Sequence, residues 1–343
     1  MTRIPGNDDA ERLRWLGLHR LWPVADLLEQ RGLLSPQLAL VCARLAEPQQ
    51  QAMRRQGSEE ARVLQALADA SLNVLVLKGA LVARRVYPRP EARFRTDLDI
   101  LVEPAQREDT EQRLQALGYR RPWAVQSATQ MYQSQWVRAD GEHSFSIDLH
   151  WDLRNHPALQ QRLPLSELFR CAQPLPGLAV KGMGLPHALL NASMHFFNDY
   201  AEDRPWQGLL DKDLLWRAMS PEEQGQCRAM ACEYGLAGLL AESLERSRAF
   251  LDTPVSDAVL ADLHEVGKNQ WSTGLIRANE QRRTAYWFAL RSEPGFGRKV
   301  RRVRQGLFPP PSYLRRQYPA GSRFGLVGLY IRRLFSSLTG HAG

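Results

Sequence analysis

The chain has 343 residues, 44% of them hydrophobic and 24% charged, with a formal net charge of +8. That length buries a substantial core and suits two domains, or one catalytic domain with helical additions. The composition is ordinary globular, and no apolar run approaches the ~20 residues of a membrane span, which excludes an integral membrane protein with helical spans.

The excess charge is local. Residues 298–343 carry ten Lys/Arg (Arg298, Lys299, Arg301, Arg302, Arg304, Arg315, Arg316, Arg323, Arg332 and Arg333) and no acid. Such a segment suits polyanions, an anionic membrane surface or an acidic partner, or packs on the body as a solvated arm. The N-terminal residues have no apolar h-region, so a cytoplasmic address is expected. Cys42, Cys171, Cys227 and Cys232 are scattered without metal-type spacing and read as reduced core residues.

In chain order, residues 10–56 read as helical, with Ser35 an N-cap and Pro36 at the first helical position. Ser58-Glu59-Glu60 reads as the start of a further helix, its early acids complementing the helix dipole. Asn73 to Leu77 is almost continuously apolar and β-branched, a strand covered on both faces that Lys78-Gly79 breaks. Ala80 to Val86 is helical in pattern, and Tyr87-Pro88-Arg89-Pro90 stops it, because a residue before Pro is pushed out of the α region. A loop through Arg93 and Arg95 leads to a strand over Asp97 to Val102. A helix over Ala105 to Leu117 follows, with Gly118 at its C′ position.

Tyr119 to Trp136 is rich in Gln and aromatics, with a strand near Gln135-Trp136-Val137, and Asp140-Gly141 marks a hairpin. Phe145 to Asp152 alternates, placing Ser146, Asp148, His150 and Asp152 on one face. Beyond the Pro/Gly-rich stretch at 173–184, helical patterns at 186–198, 206–219, 221–234 and 236–251 predict a mostly α second half. Pro309-Pro310-Pro311 is a stiff spacer. The segment 324–335 has the pattern of a short amphipathic surface helix, weakened by two glycines, and docking onto the body is the favoured alternative.

Asp97 and Asp99, at i and i+2 on a strand, point to one face, where mutual repulsion is costly unless a cation sits between them or solvent screens them. With Asp148 on a neighbouring strand, the acids form a set able to hold two Mg²⁺ ions against a nucleoside triphosphate. Two such ions stabilise both the attacking and the leaving oxygen of an in-line phosphoryl displacement.

Leu77-Lys78-Gly79-Ala80, Arg93, Asp97-Leu98-Asp99-Ile100-Leu101-Val102 and Ile147-Asp148-Leu149-His150-Trp151 resemble the pattern of bacterial nucleotidyltransferase-family proteins in the DNA polymerase β superfamily. The resemblance covers residues 58–220 and extends less firmly to Tyr313-Leu314-Arg315-Arg316. It implies an α+β fold: a small mixed β-sheet nucleotidyltransferase core with flanking helices, and a mostly α-helical C-terminal half. The expected division is a helical segment at 1–57, the core at 58–180, a helical domain at 181–297 and the basic tail at 298–343. The implied reaction is Mg²⁺-dependent transfer of NMP from an NTP, ATP being the first expectation, to a hydroxyl, with pyrophosphate leaving.

By the same resemblance, Asp97 and Asp99 bridge both metals, Asp148 completes the one that activates the acceptor hydroxyl, and Gly79 lets the backbone approach the β- and γ-phosphates. Ala80 stands where the superfamily usually has Ser, so Lys78 is left to compensate as a point charge. Arg93 and Arg95 are further candidates for phosphate. His150 reads either as a residue behind the metals or as an exposed strand residue. His195 reads as the hydrogen-bond partner of Asp211 on the next helix rather than as a metal ligand. Two further functions stay open: transfer directed to RNA, particularly a tRNA end, along the basic tail, and a degenerate, non-catalytic module that binds nucleotide or docks a partner.

Overall fold

The computed structural model describes residues 4–122, 132–153, 159, 162–198, 205–280, 290–293, 295–308, 311, 314 and 325–331. Pro309-Pro310, Tyr313, Arg315, Arg316, Arg323, Arg332 and Arg333 lie outside them, as does half of Tyr119 to Trp136.

The chain opens with α1 (Asp9–Leu18), α2 (Ala25–Gln30) and α3 (Pro36–Asp69). Ser35 caps α3 as expected, its side chain accepting from the Leu38 N–H. The break expected at Ser58 does not occur: α3 is one helix of 34 residues running through Pro48, and the boundary drawn at 57/58 falls inside it. Glu59 and Glu60 are therefore mid-helix residues, and both are buried. They face cationic partners rather than a helix dipole.

The core continues with β1 (Val74–Val76), α4 (Lys78–Arg85), β2 (Asp97–Val102), α5 (Arg107–Ala116), β3 (Gln133–Asp140) and β4 (His143–His150). Gly118 follows α5 with φ of 88°, and Gly141 turns the β3–β4 hairpin with φ of 59°, both left-handed positions that suit a residue without Cβ. After α6 (Leu165–Arg170) come two short strands, β5 (Gln173–Pro174) and β6 (Lys181–Gly182).

These strands form one mixed six-stranded sheet in the order β3-β4-β2-β1-β6-β5. β2 runs antiparallel to β1 and parallel to β4. The central strands bury Leu75, Val76, Leu98, Ile100, Leu101, Ile147 and Leu149, so their register is fixed by apolar burial.

The second half is helical: α7 (Leu185–Asn198), α8 (Pro205–Ala218), α9 (Pro221–Glu233), α10 (Ala237–Leu251), α11 (Asp257–Gly267), α12 (Trp271–Glu280) and α13 (Phe296–Leu307). The expected helices at 186–198, 206–219, 221–234 and 236–251 coincide with α7 to α10, and a capping box between Ser220 and Glu223 opens α9. The architecture is α+β, as the sequence implied. Among the described residues, no helix is long and apolar enough to cross a membrane.

Candidate active site

The sheet register builds the site. Asp97 pairs with Ser146, Asp99 with Asp148 and Leu101 with His150 across the parallel β2–β4 ladder. Because side chains alternate along a strand, Asp97, Asp99, Asp148 and His150 share one face, with Asp99 and Asp148 side by side. Asp99 is 3% exposed and His150 1%, whereas Asp97 and Asp148 are half-buried.

Asp99 is the anchor of this group. Lys78 Nζ lies 2.6 Å from Asp99 Oδ1, and His150 Nε2 lies 3.0 Å from the same oxygen. Burial alone would raise the Asp99 carboxyl, but Lys78 and the His150 hydrogen bond hold it well below the usual carboxylate range. An ionised Asp99 can only accept, so His150 donates from Nε2. His150 is thus a buried partner of Asp99 and not an exposed strand residue.

The outer two acids behave oppositely. Burial and the charge of Asp99 push the Asp97 carboxyl up, against the pull of Lys78 and Arg93. Burial, Asp99 and Asp97 push Asp148 up to about 7. Asp148 Oδ1 is buried without a hydrogen-bond partner among the described residues, while Oδ2 has only the Gln133 amide at 3.4 Å. One ligand atom from each of Asp99, Asp148 and His150 lies within 4.8 Å of the others. The carboxylates of this group, and not the imidazole that already donates to Asp99, suit a hard oxygen-liganded cation, which would satisfy the orphaned oxygen and relieve the repulsion.

The Lys78-Gly79 turn opens α4. The left-handed backbone falls on Lys78, with φ of 41°, rather than on the glycine. A Lys held there is strained, and the ion pair to Asp99 holds the side chain that the strain aims. Gly79 is required for space: a Cβ would sit 2.7 Å from Arg93 Nη1 and 3.3 Å from Arg95 Cβ. Ala80 is fully buried in α4, packed in the core.

The two arginines part company. Arg93 holds Asp211 of α8 through Nε at 2.9 Å and Nη2 at 2.6 Å, and Tyr87 Oη donates to the same carboxylate at 2.8 Å. Its guanidinium still lies against Gly79, at the edge of the site. Arg95 is turned away from the acids: Nε and Nη2 contact Glu60 of α3 at 2.6 and 2.8 Å, and Nη1 donates to Pro90 O at 2.9 Å. The structure therefore brings together Asp97, Asp99, Asp148 and Lys78, borders them with Gly79 and Arg93, and leaves Arg95 in a structural pair.

Sequence reasoning missed Glu60 as the partner of Arg95, and Tyr87 and Arg93 as the partners of Asp211. Nothing in a single sequence links Arg93 to a residue on α8. The expected pairing of His195 with Asp211 is replaced by this Arg93 and Tyr87 contact, and His195 is half-buried on α7.

A family model described as an uncharacterised nucleotidyltransferase matches residues 7–252. The chain belongs to this nucleotidyltransferase family. The resemblance read from the Lys-Gly turn and the aspartates is thereby borne out, and the family supports a transferase. Among solved structures, the chain is similar to the antibiotic-resistance factor ANT(2'')-Ia, at 15% identity and a TM-score of 0.37, over 52% of this chain and 91% of that one. That likeness is too distant to argue from. No curated protein matches the chain.

Proposed function

We propose that this family member transfers a nucleoside monophosphate from an NTP to a hydroxyl acceptor, with pyrophosphate leaving, at Asp97, Asp99 and Asp148. The observation that carries this reading is the buried, unpartnered Asp148 Oδ1, in register with Asp99 and part of a carboxyl that burial already disfavours as an ion. Mg²⁺ held by the three acids, as two ions, would supply charge for the phosphate oxygens and acidity for the acceptor hydroxyl.

The chain's own groups do the rest. Lys78, already aimed into the site, offers an ammonium to the triphosphate as a point charge in place of the hydroxyl that Ala80 lacks. His150 fixes the orientation of Asp99 from behind. Arg93, braced by Asp211, adds positive potential beside Asp97. Gly79 admits that guanidinium to the turn.

The test uses each NTP labelled at the α-phosphate, with cell extract as the acceptor source, on the wild type and on Asp97→Asn and Asp99→Asn. The expected result is label transfer by the wild type and a loss of at least about 10³-fold in either variant with the circular dichroism of the folded protein preserved, since electrostatic stabilisation of this kind is usually the largest catalytic contribution. Transfer retained in both variants would overturn the assignment. Absence of Mg–ATP binding by calorimetry would support the non-catalytic module instead.

A second reading makes the acceptor an RNA end. It is favoured by Arg298 of the basic helix α13, which donates to Tyr132 Oη at 3.4 Å, next to Gln133, whose amide reaches Asp148. Label appearing in RNA, with a transfer rate that falls steeply with salt and on removal of residues 298–343, distinguishes it.

A further inference from the structure

Outside the aspartate site, Glu167, Cys171 and His187 bring a carboxylate oxygen, a sulfur and an imidazole nitrogen within 4.8 Å of one another. Glu167 and Cys171 are one turn apart, joined by the Cys171 N–H to Glu167 O bond of 2.8 Å that closes α6. His187 comes from the first turn of α7, across the β5–β6 hairpin. We propose that these three side chains form a second metal site, for a borderline divalent transition ion of the Zn²⁺ class, that pins α6 to α7.

A hydrogen-bond network alone accounts for only part of the cluster. His187 Nε2 meets Glu167 Oε1 at 3.2 Å, and Tyr234 Oη donates to Glu167 Oε2. Neither contact explains why the Cys171 sulfur is turned into an oxygen- and nitrogen-lined corner. Cys42 and Cys227, by contrast, are fully buried among apolar residues, where a thiol ordinarily packs.

The donor chemistry selects the ion. A thiolate and an imidazole are poor ligands for Mg²⁺ or Ca²⁺, which take oxygen, and good ones for Zn²⁺. Binding breaks the Cys171 S–H bond, releases the proton to solvent and forms the metal–sulfur bond. With Glu167 ionised, the two negative ligands and the neutral imidazole cancel a 2+ charge, so a half-buried site carries no net charge. Three protein ligands leave the fourth tetrahedral position to water. Tyr234, bonded to the Glu167 oxygen, then orients that ligand from behind.

Co²⁺ is the probe, added to the full chain after chelator treatment. The expected result is one equivalent giving thiolate-to-cobalt charge-transfer absorption, bleached by Zn²⁺ and unchanged in Asp99→Asn. The band disappears in Cys171→Ser, and Tyr234→Phe lowers the affinity by about 10–100-fold. Cys171→Ser leaves the circular dichroism of the metal-free protein unchanged, which separates ligand loss from misfolding. No charge-transfer band in the wild type, or a band that persists in Cys171→Ser, would overturn the proposal. Because the readout is spectroscopic and tolerates Asp99→Asn, it stands or falls independently of nucleotidyl transfer.

Discussion

Arg95→Met tests whether the second arginine of the loop is structural. Its guanidinium and the Glu60 carboxylate meet in a two-point pair at 2.6 and 2.8 Å, and each side chain is 1% exposed. Removing the cation leaves Glu60 buried, with Arg84 at 4.0 Å as its remaining cationic neighbour among the described residues. Breaking a buried pair from one side costs about 3–5 kcal/mol, most of it the uncompensated charge. For a chain of this size that lowers the melting temperature by about 4–7 °C. The double variant Glu60→Met/Arg95→Met removes both charges and should recover most of the loss, giving a coupling of about 2–4 kcal/mol between the sites. Thermal and urea unfolding followed by circular dichroism measure both. The reasoning is refuted if Arg95→Met melts within about 1 °C of the wild type, or if the double variant is as unstable as the sum of the singles. A rise in the KM for NTP without loss of stability would return Arg95 to the phosphates.

Lys78→Met removes the cation at 2.6 Å from a carboxylate that is 4% exposed. We expect about 1–3 kcal/mol of destabilisation, partly reversed by millimolar Mg²⁺ in a melt, and a fall in transfer of about 100-fold or more. Gly79→Ala forces a methyl to 2.7 Å from Arg93 Nη1, which Asp211 holds in place, so it should cost about 1–3 kcal/mol in unfolding experiments. Glu59 supplies a pH dependence: burial opposes its ionisation, but hydrogen bonds from Arg62, Tyr119 and Arg138 bring its carboxyl down to about 2. Its folded pKa is depressed, so its stabilisation is present above about 4.5 and is lost as pH falls toward 2. Glu59→Gln should flatten the acid limb of a stability–pH curve over that window and leave the neutral range parallel to the wild type.

The parts of the molecule that were legible in the sequence are those where a local pattern meets a local cause. Asp97 to Val102 is an apolar strand with its polar start at the sheet edge, and its bounds were predicted residue for residue. The alternation in β4 placed Asp148 and His150 on one face, and the register with β2 then fell into line with Asp97 and Asp99. What could not be read depends on contacts distant in sequence. Glu60 looked like a first-turn acid because Ser58-Glu59-Glu60 reads as a helix start, yet tertiary packing carries α3 through both Pro48 and that stretch. Gly79 was read as the point where the backbone approaches phosphate, and the close approach that the structure shows there is that of the Arg93 guanidinium, while the left-handed backbone sits on Lys78. Cys171 and His187 meet across a hairpin, so no cysteine spacing announced them.

The carboxylates of the site are assembled by the sheet alone, but the positive potential around them is not. Arg93 leaves the loop before β2, lies against the backbone of Gly79 and reaches Asp211 on α8, and the same carboxylate receives Tyr87 from the end of α4. Burial disfavours a charged guanidinium, and Asp211 outweighs it, so Arg93 stays firmly ionised. That fixed charge in turn favours the ionised form of Asp97, the carboxylate that burial and Asp99 push the other way. The helical half, though among the described residues it contributes no acid to the β2–β4 face, therefore bears on how readily Asp97 ionises. A displacement of α8 would move the Arg93 guanidinium with Asp211, and with it both the potential at Asp97 and the space beside the Lys78-Gly79 turn.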